Sequence, residues 1–406
     1  MKPSDSGATQ ELDSSHVRTI LILGGGVFGL TAAWELRNRG WKVTLLDQGT
    51  IPHPDAASTD INKVVRMDYG SDLQYTEMGE AALEGWRAWN QRWQEEVYHE
   101  DGFLVMNSET MRPGGFEHDS FERLSSRGHR LKRMDRDALR RAHPAWNADR
   151  YGEGYFNSRG GWGASSRAVV HLKAEVVAAG VTVVEGVPLS SPLSLEDRDG
   201  IKRVTALDGR VWKAQVVLMA TGAWTPVLLP RLSEGMWATA QPVFHFRPAD
   251  PARFRPPEFP VWGSDIGRTG WYGFPANEEG IVKVANHGPG RRVRADAPRV
   301  MPEGEEARFR AFLQTTFPSL AEAPLAGSRV CLYCDTFDGH FWIDHDPDQS
   351  GVVVAAGDSG HAFKFTPLLG GLIADVVERN PNSWAERFRW REPSAKGGEG
   401  ARALSD

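Results

Sequence analysis

The chain has 406 residues, a formal net charge of −6 and a hydrophobic fraction of 40%. That length exceeds one ordinary core and sets two domains as the expectation. The acidic balance argues against a nucleic-acid or anionic-membrane surface, and no apolar run is long enough to span a bilayer.

The first residues, MKPSDSGATQELDSS, are polar and lack the apolar core of a secretory signal. Thr19 to Leu23 (TILIL) form a continuous apolar run of the kind found in a parallel strand buried on both faces. Gly24, Gly26 and Gly29 follow in the pattern G-x-G-x-x-G, and Leu30, Ala33, Trp34 and Arg37 then recur at helical spacing. A Cβ in that turn would keep a pyrophosphate off the backbone, while the helix start offers amides and a positive dipole end. A second strand, Lys42 to Leu46, ends at Asp47, whose carboxylate stands where ribose hydroxyls are bound and where a 2′-phosphate is disfavoured. Strand, loop, helix, strand and acid together predict a dinucleotide cradle, and on this unit alone FAD and NAD both remain open.

A polar insertion (PHPDAASTDINK) leads to a helix expected over Gln74 to Glu96. Residues 97 to 150 mix short strands with basic helical pieces, and a new α/β pattern begins near Trp162. It carries a helix over Arg167 to Ala179, the strand Val181 to Val184 and the strand Gln215 to Met219, which ends in Ala220-Thr221-Gly222-Ala223-Trp224. Small residues there suit close approach to a cofactor. From Pro230 to Leu325 the alternation, as in Trp271-Tyr272-Gly273-Phe274, predicts an antiparallel sheet inserted into the first unit. The chain returns through the buried run Val352 to Ala356, the turn GDSGHAFKF and a helix over Leu368 to Glu378. Lys364 lies between Phe363 and Phe365. Burial of both rings predicts an ammonium on the opposite side, beside a glycine turn with free amides, and hence an anion site. The expected division is 17–85, 155–230 and 326–385 for the cofactor part, 86–154 and 231–325 for the substrate part, and tails at 1–16 and 391–406. The tail KGGEGARALSD lacks an SKL address. The two cysteines, Cys331 and Cys334, sit in a strand-like run without partners for a zinc site, which reads as a reduced, cytoplasmic protein.

These segments in this order resemble the monomeric sarcosine oxidase family of flavoproteins, which includes pipecolate, N-methyltryptophan and fructosyl amino acid oxidases (amadoriases). The resemblance covers about residues 17 to 380. It rests on the glycine loop with Asp47, the turn Gly222-Ala223-Trp224, and the segment Tyr272-Gly273-Phe274-Pro275 followed by Lys283 and His287. It rests also on Cys331 in a C-x-Y context and on the run from Gly357 to Phe365. It implies an α/β fold with a Rossmann-like FAD-binding domain and an inserted antiparallel-sheet substrate domain.

Roles follow from the resemblance. Cys331 would carry a covalent flavin, with Cys334 on the wrong side of the intervening Tyr. Arg66 and Lys364 would clamp a substrate carboxylate, one bidentate and one a point charge. Lys283 would lie over the flavin where O2 reacts, and His287 and Tyr272 would line the substrate side. The cofactor would touch Gly24, Gly26, Val27, Phe28, Gly29, Asp47 and Gln48 at the nucleotide end. Further contacts would come from Ser58, Thr59, Lys63, Val187, Thr221, Gly222 and Trp224, and from Asp358, Ser359, Gly360, His361, Phe363 and Lys364. Lys63 stands where sarcosine oxidases usually carry arginine and is more like the fructosyl amino acid oxidases. With Asp60, Asn62, Trp262 and Trp271, the last taken as a substrate-binding wall, it points to a bulkier N-substituent than that of sarcosine.

The implied reaction is oxidation of a secondary amino acid (N-alkyl, cyclic or glycated) by hydride transfer to the flavin, imine hydrolysis, and reoxidation by O2 to H2O2. No metal, nucleic acid or membrane is called for, and the expected assembly is a monomer or weak dimer. A flavin-dependent dehydrogenase, a tailoring oxidase of a heterocyclic or carrier-bound amine, and a non-catalytic flavin scaffold are the competing readings.

Overall fold

The computed structural model describes residues 17–393 and Arg402. The tail expected at 1–16 lies outside them, as does most of that expected at 391–406. Two residues of the latter are anchored: Arg391 bonds both carboxylate oxygens of Asp338, and Arg402 pairs with Asp335.

Six strands form one sheet in the order Trp342–His345, Val352–Ala356, Val216–Met219, Thr19–Leu23, Lys42–Leu46 and Thr182–Val184. All pairs are parallel except the outermost, Trp342–His345 against Val352–Ala356. The apolar run at the centre serves both faces. Ile20 and Ile22 point into a core shared with the helices Val27–Asn38, Ser165–Ala178 and Thr366–Glu378, while Leu21 and Leu23 point into a second core under the strands Leu195–Arg198, Ile201–Thr205 and Val211–Ala214. The helices expected over Arg167–Ala179 and Leu368–Glu378 therefore exist, with ends no more than two residues from those expected. The first long helix runs Leu73–Trp93, capped by Asp72 accepting from the Tyr75 amide, and stops at Gln94 in the left-handed conformation (φ 50°).

The first turn is held tight by glycine. A Cβ on Gly29 would stand 1.9 Å from the Gly24 carbonyl oxygen, a backbone atom that has nowhere to go. Substituting Gly29→Ala is expected to cost about 3 kcal/mol. An unchanged thermal unfolding midpoint would refute the close approach.

The other large sheet has nine strands and is antiparallel except for one pair, Val261–Ser264 with Phe103–Asn107. Its longest members, Met236–Phe246 and Leu325–Thr336, pair over their whole length. Val282–Asn286 and Trp271–Gly273 continue it on the other side of Met236–Phe246. Residues in register share a face. One face therefore carries Tyr272, Lys283, Val243, His245, Arg329, Cys331 and Tyr333. The other carries Trp271, Val284, Phe244 and Leu332. That alternation decides which side chains reach the site.

Candidate active site

Two cavities meet at the face of the nine-stranded sheet that carries Cys331. The larger, about 280 Å³, starts at Gly24–Phe28, runs past Asp47, Gln48, Val187 and Thr221–Trp224, and ends at Cys331, Tyr333, Asp358 and Gly360. The smaller, about 70 Å³, is lined by Lys63, Arg66, Tyr272, Lys283, His287 and Lys364 among others. Lys63, Cys331, Tyr333, Gly360 and Phe363 border both. An elongated dinucleotide fits the first shape, and a small molecule at its far end fits the second.

The cradle is built from the first βαβ unit. Asp47 accepts from the Gly25 amide at 2.7 Å and the Gly49 amide at 2.9 Å, so its carboxylate shapes the turn as well as facing the cavity. Burial raises its carboxyl above the usual range despite those two bonds. Ser58 reaches back to accept from the Val27 amide at 3.1 Å.

The far end is built by strand alternation. Cys331 and Tyr333 share a face of Leu325–Thr336, and both border the two cavities. Cys334 has the opposite parity. It packs in the core under the six-stranded sheet, where burial pushes its thiol well up. Tyr333 packs flat on Gly360. A Cβ there would stand 2.3 Å from the tyrosine ring, and Gly360 itself has φ +76°. The Tyr333 hydroxyl is 3.4 Å from His287 Nδ1. Burial, then the neighbouring Tyr272, hold that phenol well above its ordinary pKa, so it stays protonated.

The smaller cavity is rich in buried cations. Lys364 is 4% exposed, and its Nζ donates to the Tyr69 hydroxyl at 2.9 Å and to the His361 carbonyl at 2.7 Å. Arg66 is equally buried, its guanidinium 4.8 Å from the Tyr69 ring and 5.3 Å from that of Phe116. Asp68 lies beside it, fully buried and bonded by Tyr155 at 2.7 Å. Lys283 donates to Asp60 Oδ2 at 2.8 Å and to the Asn62 carbonyl at 2.6 Å. Burial lowers the Lys283 pKa to about 8, with Asp60 opposing the shift. Burial alone would raise Asp60. The charges of Lys283 and Lys63, with His245 and Arg329, win and hold its carboxyl well below the usual range.

Several expected positions are corrected. Trp271, read as a substrate wall, points into the opposite core, where it stacks on Phe312 at 4.1 Å between centroids; Trp262 lies in that core too. Strand parity puts Tyr272 in the cavity and its neighbour out. Phe363, Lys364 and Phe365 do not split to two sides: they form one 3-10 turn, all buried, with the ammonium 5.4 Å from the Phe365 ring. The amides of the preceding turn are not free either. Those of Ser359, Gly360 and His361 bond to the Cys334 carbonyl, Asp358 Oδ1 and the Asp358 carbonyl. The positive charge at this cavity therefore comes from its lysine and arginine side chains. Gly29, Thr59 and Ser359 line neither cavity: Gly29 packs on Gly24, the Thr59 carbonyl accepts from Arg329, and Ser359 bonds the Thr336 amide. His361 and Lys364 border the smaller cavity rather than the cradle. Asp358 borders the cradle, and burial pushes its carboxyl up to about 6. Sequence reasoning missed Tyr69 and Tyr333, for which the alternation C-x-Y was the available signal only in the second case.

A mostly parallel sheet with a dinucleotide-type cradle, joined to a cation-lined antiparallel sheet, is the architecture of an oxidoreductase that binds a dinucleotide cofactor. The chain belongs to the family described as DAO, FAD dependent oxidoreductase, whose model matches residues 19–376. L-Saccharopine oxidase of Schizosaccharomyces pombe (strain 972) is 29% identical over 418 residues, covering 92% of this chain and 93% of that protein. Monomeric sarcosine oxidase of Bacillus sp. (strain NS-129) is 28% identical over 375 residues, covering 88% and 92%. Among solved structures, Amadoriase I, the fructosyl amine:oxygen oxidoreductase of Aspergillus fumigatus, superimposes with a TM-score of 0.79 at 25% identity, covering 96% of this chain and 95% of that one. FAD fits the cradle on the structure's own terms. Gly24, Gly25 and Gly26 leave the cavity wall to bare backbone, the helix Val27–Asn38 starts at that wall, and Asp47 faces the same space. No helix among the described residues is long and apolar enough to cross a membrane.

Proposed function

We propose that the protein is an FAD-dependent oxidase of secondary amino acids carrying an N-alkyl, cyclic or glycated substituent, with O2 as acceptor and H2O2 as product. The observation that carries this reading is the set of buried cations in the smaller cavity. Arg66, Lys63, Lys283 and Lys364 line it, where Asp60 is the one lining carboxylate among the described residues and Asp68 is buried behind Arg66. Such an excess of positive charge in a dry site calls for an anionic substrate.

FAD, when bound, supplies the two-electron acceptor; the residues supply position, charge and protons. Arg66 and Lys364 hold the substrate carboxylate from two directions, and Tyr69, which contacts both, fixes their spacing. His287 takes the ammonium proton, so that the amine presents a lone pair, and its ring is oriented by the Tyr333 hydroxyl. Tyr272, Phe274 and Phe363 keep bulk water out. Lys283 provides a fixed positive charge for O2 as it gains electrons. Cys331 Sγ is the attachment point for a covalent cofactor, since it alone of the two cysteines faces the cradle.

The test is peroxide release under air from N-methyl, cyclic and glycated amino acids, compared with the same amines lacking a carboxylate. No peroxide from any carboxylated amine, with dye-coupled turnover intact, would favour a dehydrogenase instead. The link is tested by acid precipitation: yellow colour is expected in the pellet for the natural protein and in the supernatant for Cys331→Ser. Colour retained by the variant would move the attachment elsewhere.

A further inference from the structure

We propose that Asp60 and His245 form the proton path that recharges Lys283 from the outer edge of the nine-stranded sheet. The inference rests on the reading of Lys283 as the residue beside which O2 is reduced. It begins from a problem of access. The Lys283 side chain is 2% exposed, and its ammonium bonds to Asp60 Oδ2 and the Asn62 carbonyl. A proton given up there has no direct route back from water.

Asp60 supplies the first link. Its Oδ2 holds Lys283, while its Oδ1 accepts from the Ile61 amide at 2.8 Å and lies 3.6 Å from His245 Nε2. A small ring rotation closes that gap to hydrogen-bond length. His245 supplies the second link. It stands directly opposite Lys283 in the pairing of Met236–Phe246 with Val282–Asn286, so both side chains leave the same face. Its Nε2 is buried and makes no hydrogen bond within the described residues. Its Nδ1 is the atom closest to the Cβ position of Gly327, at 3.8 Å, on the strand Leu325–Thr336. The neighbours Ala326 and Ser328 are exposed, and His245 is itself 15% exposed. Nε2 thus faces the buried carboxylate, and the part of the ring that reaches solvent lies away from it. The remaining charged groups against Asp60 are Lys63, 3.7 Å away, and Arg329.

The electrostatics allow the carboxylate to carry a proton at the moment it must. With Lys283 charged, Asp60 is held ionised. Once Lys283 is neutral, its largest charged partner is gone, and burial then pulls toward the protonated acid against only Lys63, His245 and Arg329. His245 gives its Nε2 proton to Asp60 Oδ1 as it takes one from water at Nδ1, and rotation of the protonated carboxyl delivers that proton to Lys283 Nζ. Exchange of the ring protons with water then restores the starting tautomer, so one proton moves inward per turn and no electron moves along the path. Reduction of O2 to H2O2 takes two electrons and two protons. The path brings one proton, and the electrons and the second proton originate in the amine being oxidised.

His245→Asn removes the shuttle and keeps a polar side chain. In rapid-mixing experiments it should slow reoxidation by O2 about tenfold or more, leave anaerobic reduction by substrate unchanged, and recover when imidazole is added. Independently of turnover, the His245 ring-nitrogen signal in histidine-labelled enzyme, assigned by its loss in His245→Asn, should move in Asp60→Asn, because the carboxylate is the group its Nε2 faces. Should either variant fold poorly, reoxidation of the unmodified enzyme in heavy water should still show a solvent isotope effect well above unity. The path is overturned by reoxidation of His245→Asn within twofold of normal, by slowing that imidazole does not relieve, by a His245 ring signal indifferent to Asp60, or by an isotope effect of one. If Lys283→Met reoxidises normally, the underlying reading of Lys283 fails instead.

Discussion

Lys283→Met should slow reaction of the reduced enzyme with O2 by about 10²–10³-fold, the cost of removing one preorganised charge from a water-excluded site. Anaerobic bleaching of the flavin by substrate should change by no more than a few-fold. The residue owes this leverage to its position. It sits mid-strand on the cavity-facing parity, bonded on one side to Asp60 and the Asn62 carbonyl and 4.6 Å from the Phe274 ring. Methionine matches its length and apolar stem, so the variant removes charge with little change of packing. The pH dependence has a definite sign. The ammonium is populated below about pH 8 and lost above it, so the O2 reaction should decline as pH rises through 8 while substrate reduction does not share that limb. The substitution also strands the Asp60 carboxylate in a buried site, a loss of about 3–5 kcal/mol when one partner of such a pair is removed. Adding Asp60→Asn should restore much of that stability without restoring the O2 rate. Equal slowing of both half-reactions, or a double variant that regains the rate, would show that Lys283 is structural.

What the sequence disclosed follows the range of the interactions concerned. The cradle was readable because its parts are local: TILIL, three glycines, a helical repeat and Asp47 lie within one stretch, and each residue type is dictated by its own backbone. Cys331 is marked by its C-x-Y context in the family resemblance; what the strand adds is that alternation turns Cys331 to the cradle and Cys334 to the core. The same alternation misled at Trp271. The pattern fixes that neighbours face opposite ways, and only the pairing with Val282–Asn286 fixes which face is the site. The cation partners were beyond reach altogether. Lys283 meets Asp60 across 223 positions of sequence, and Lys364 meets Tyr69 across 295. No periodicity reports such contacts. The turn before Lys364 failed for a subtler cause: glycines signalled amides near the cavity, but Asp358 and the Cys334 carbonyl consume them.

The second large effect concerns the carboxylate clamp. Arg66→Ala should raise KM for carboxylated amines by about 10–100-fold, the loss of charge-assisted bonds worth about 1.5–3 kcal/mol. The maximal rate should fall less, because Lys364 retains the second positive charge and its bonds to Tyr69 and the His361 carbonyl. Arg66→Lys separates charge from shape. The ammonium keeps the attraction but loses the flat guanidinium seated 4.8 Å from Tyr69, so its KM should lie between those of Arg and Ala. Asp68 makes a competing explanation testable. It lies fully buried beside Arg66, and burial raises its carboxyl despite the guanidinium. Removing Arg66 raises it further, so the variant can be destabilised for reasons unrelated to substrate. An amine without a carboxylate distinguishes the two. Its KM should be high in the natural enzyme and nearly unchanged in Arg66→Ala, whereas a purely structural defect would weaken both amines alike. If instead the carboxylated amine keeps its KM in the variant, the anion is bound elsewhere. The remaining cations, Lys63 and Lys364, would then be the place to look, since each borders the same cavity.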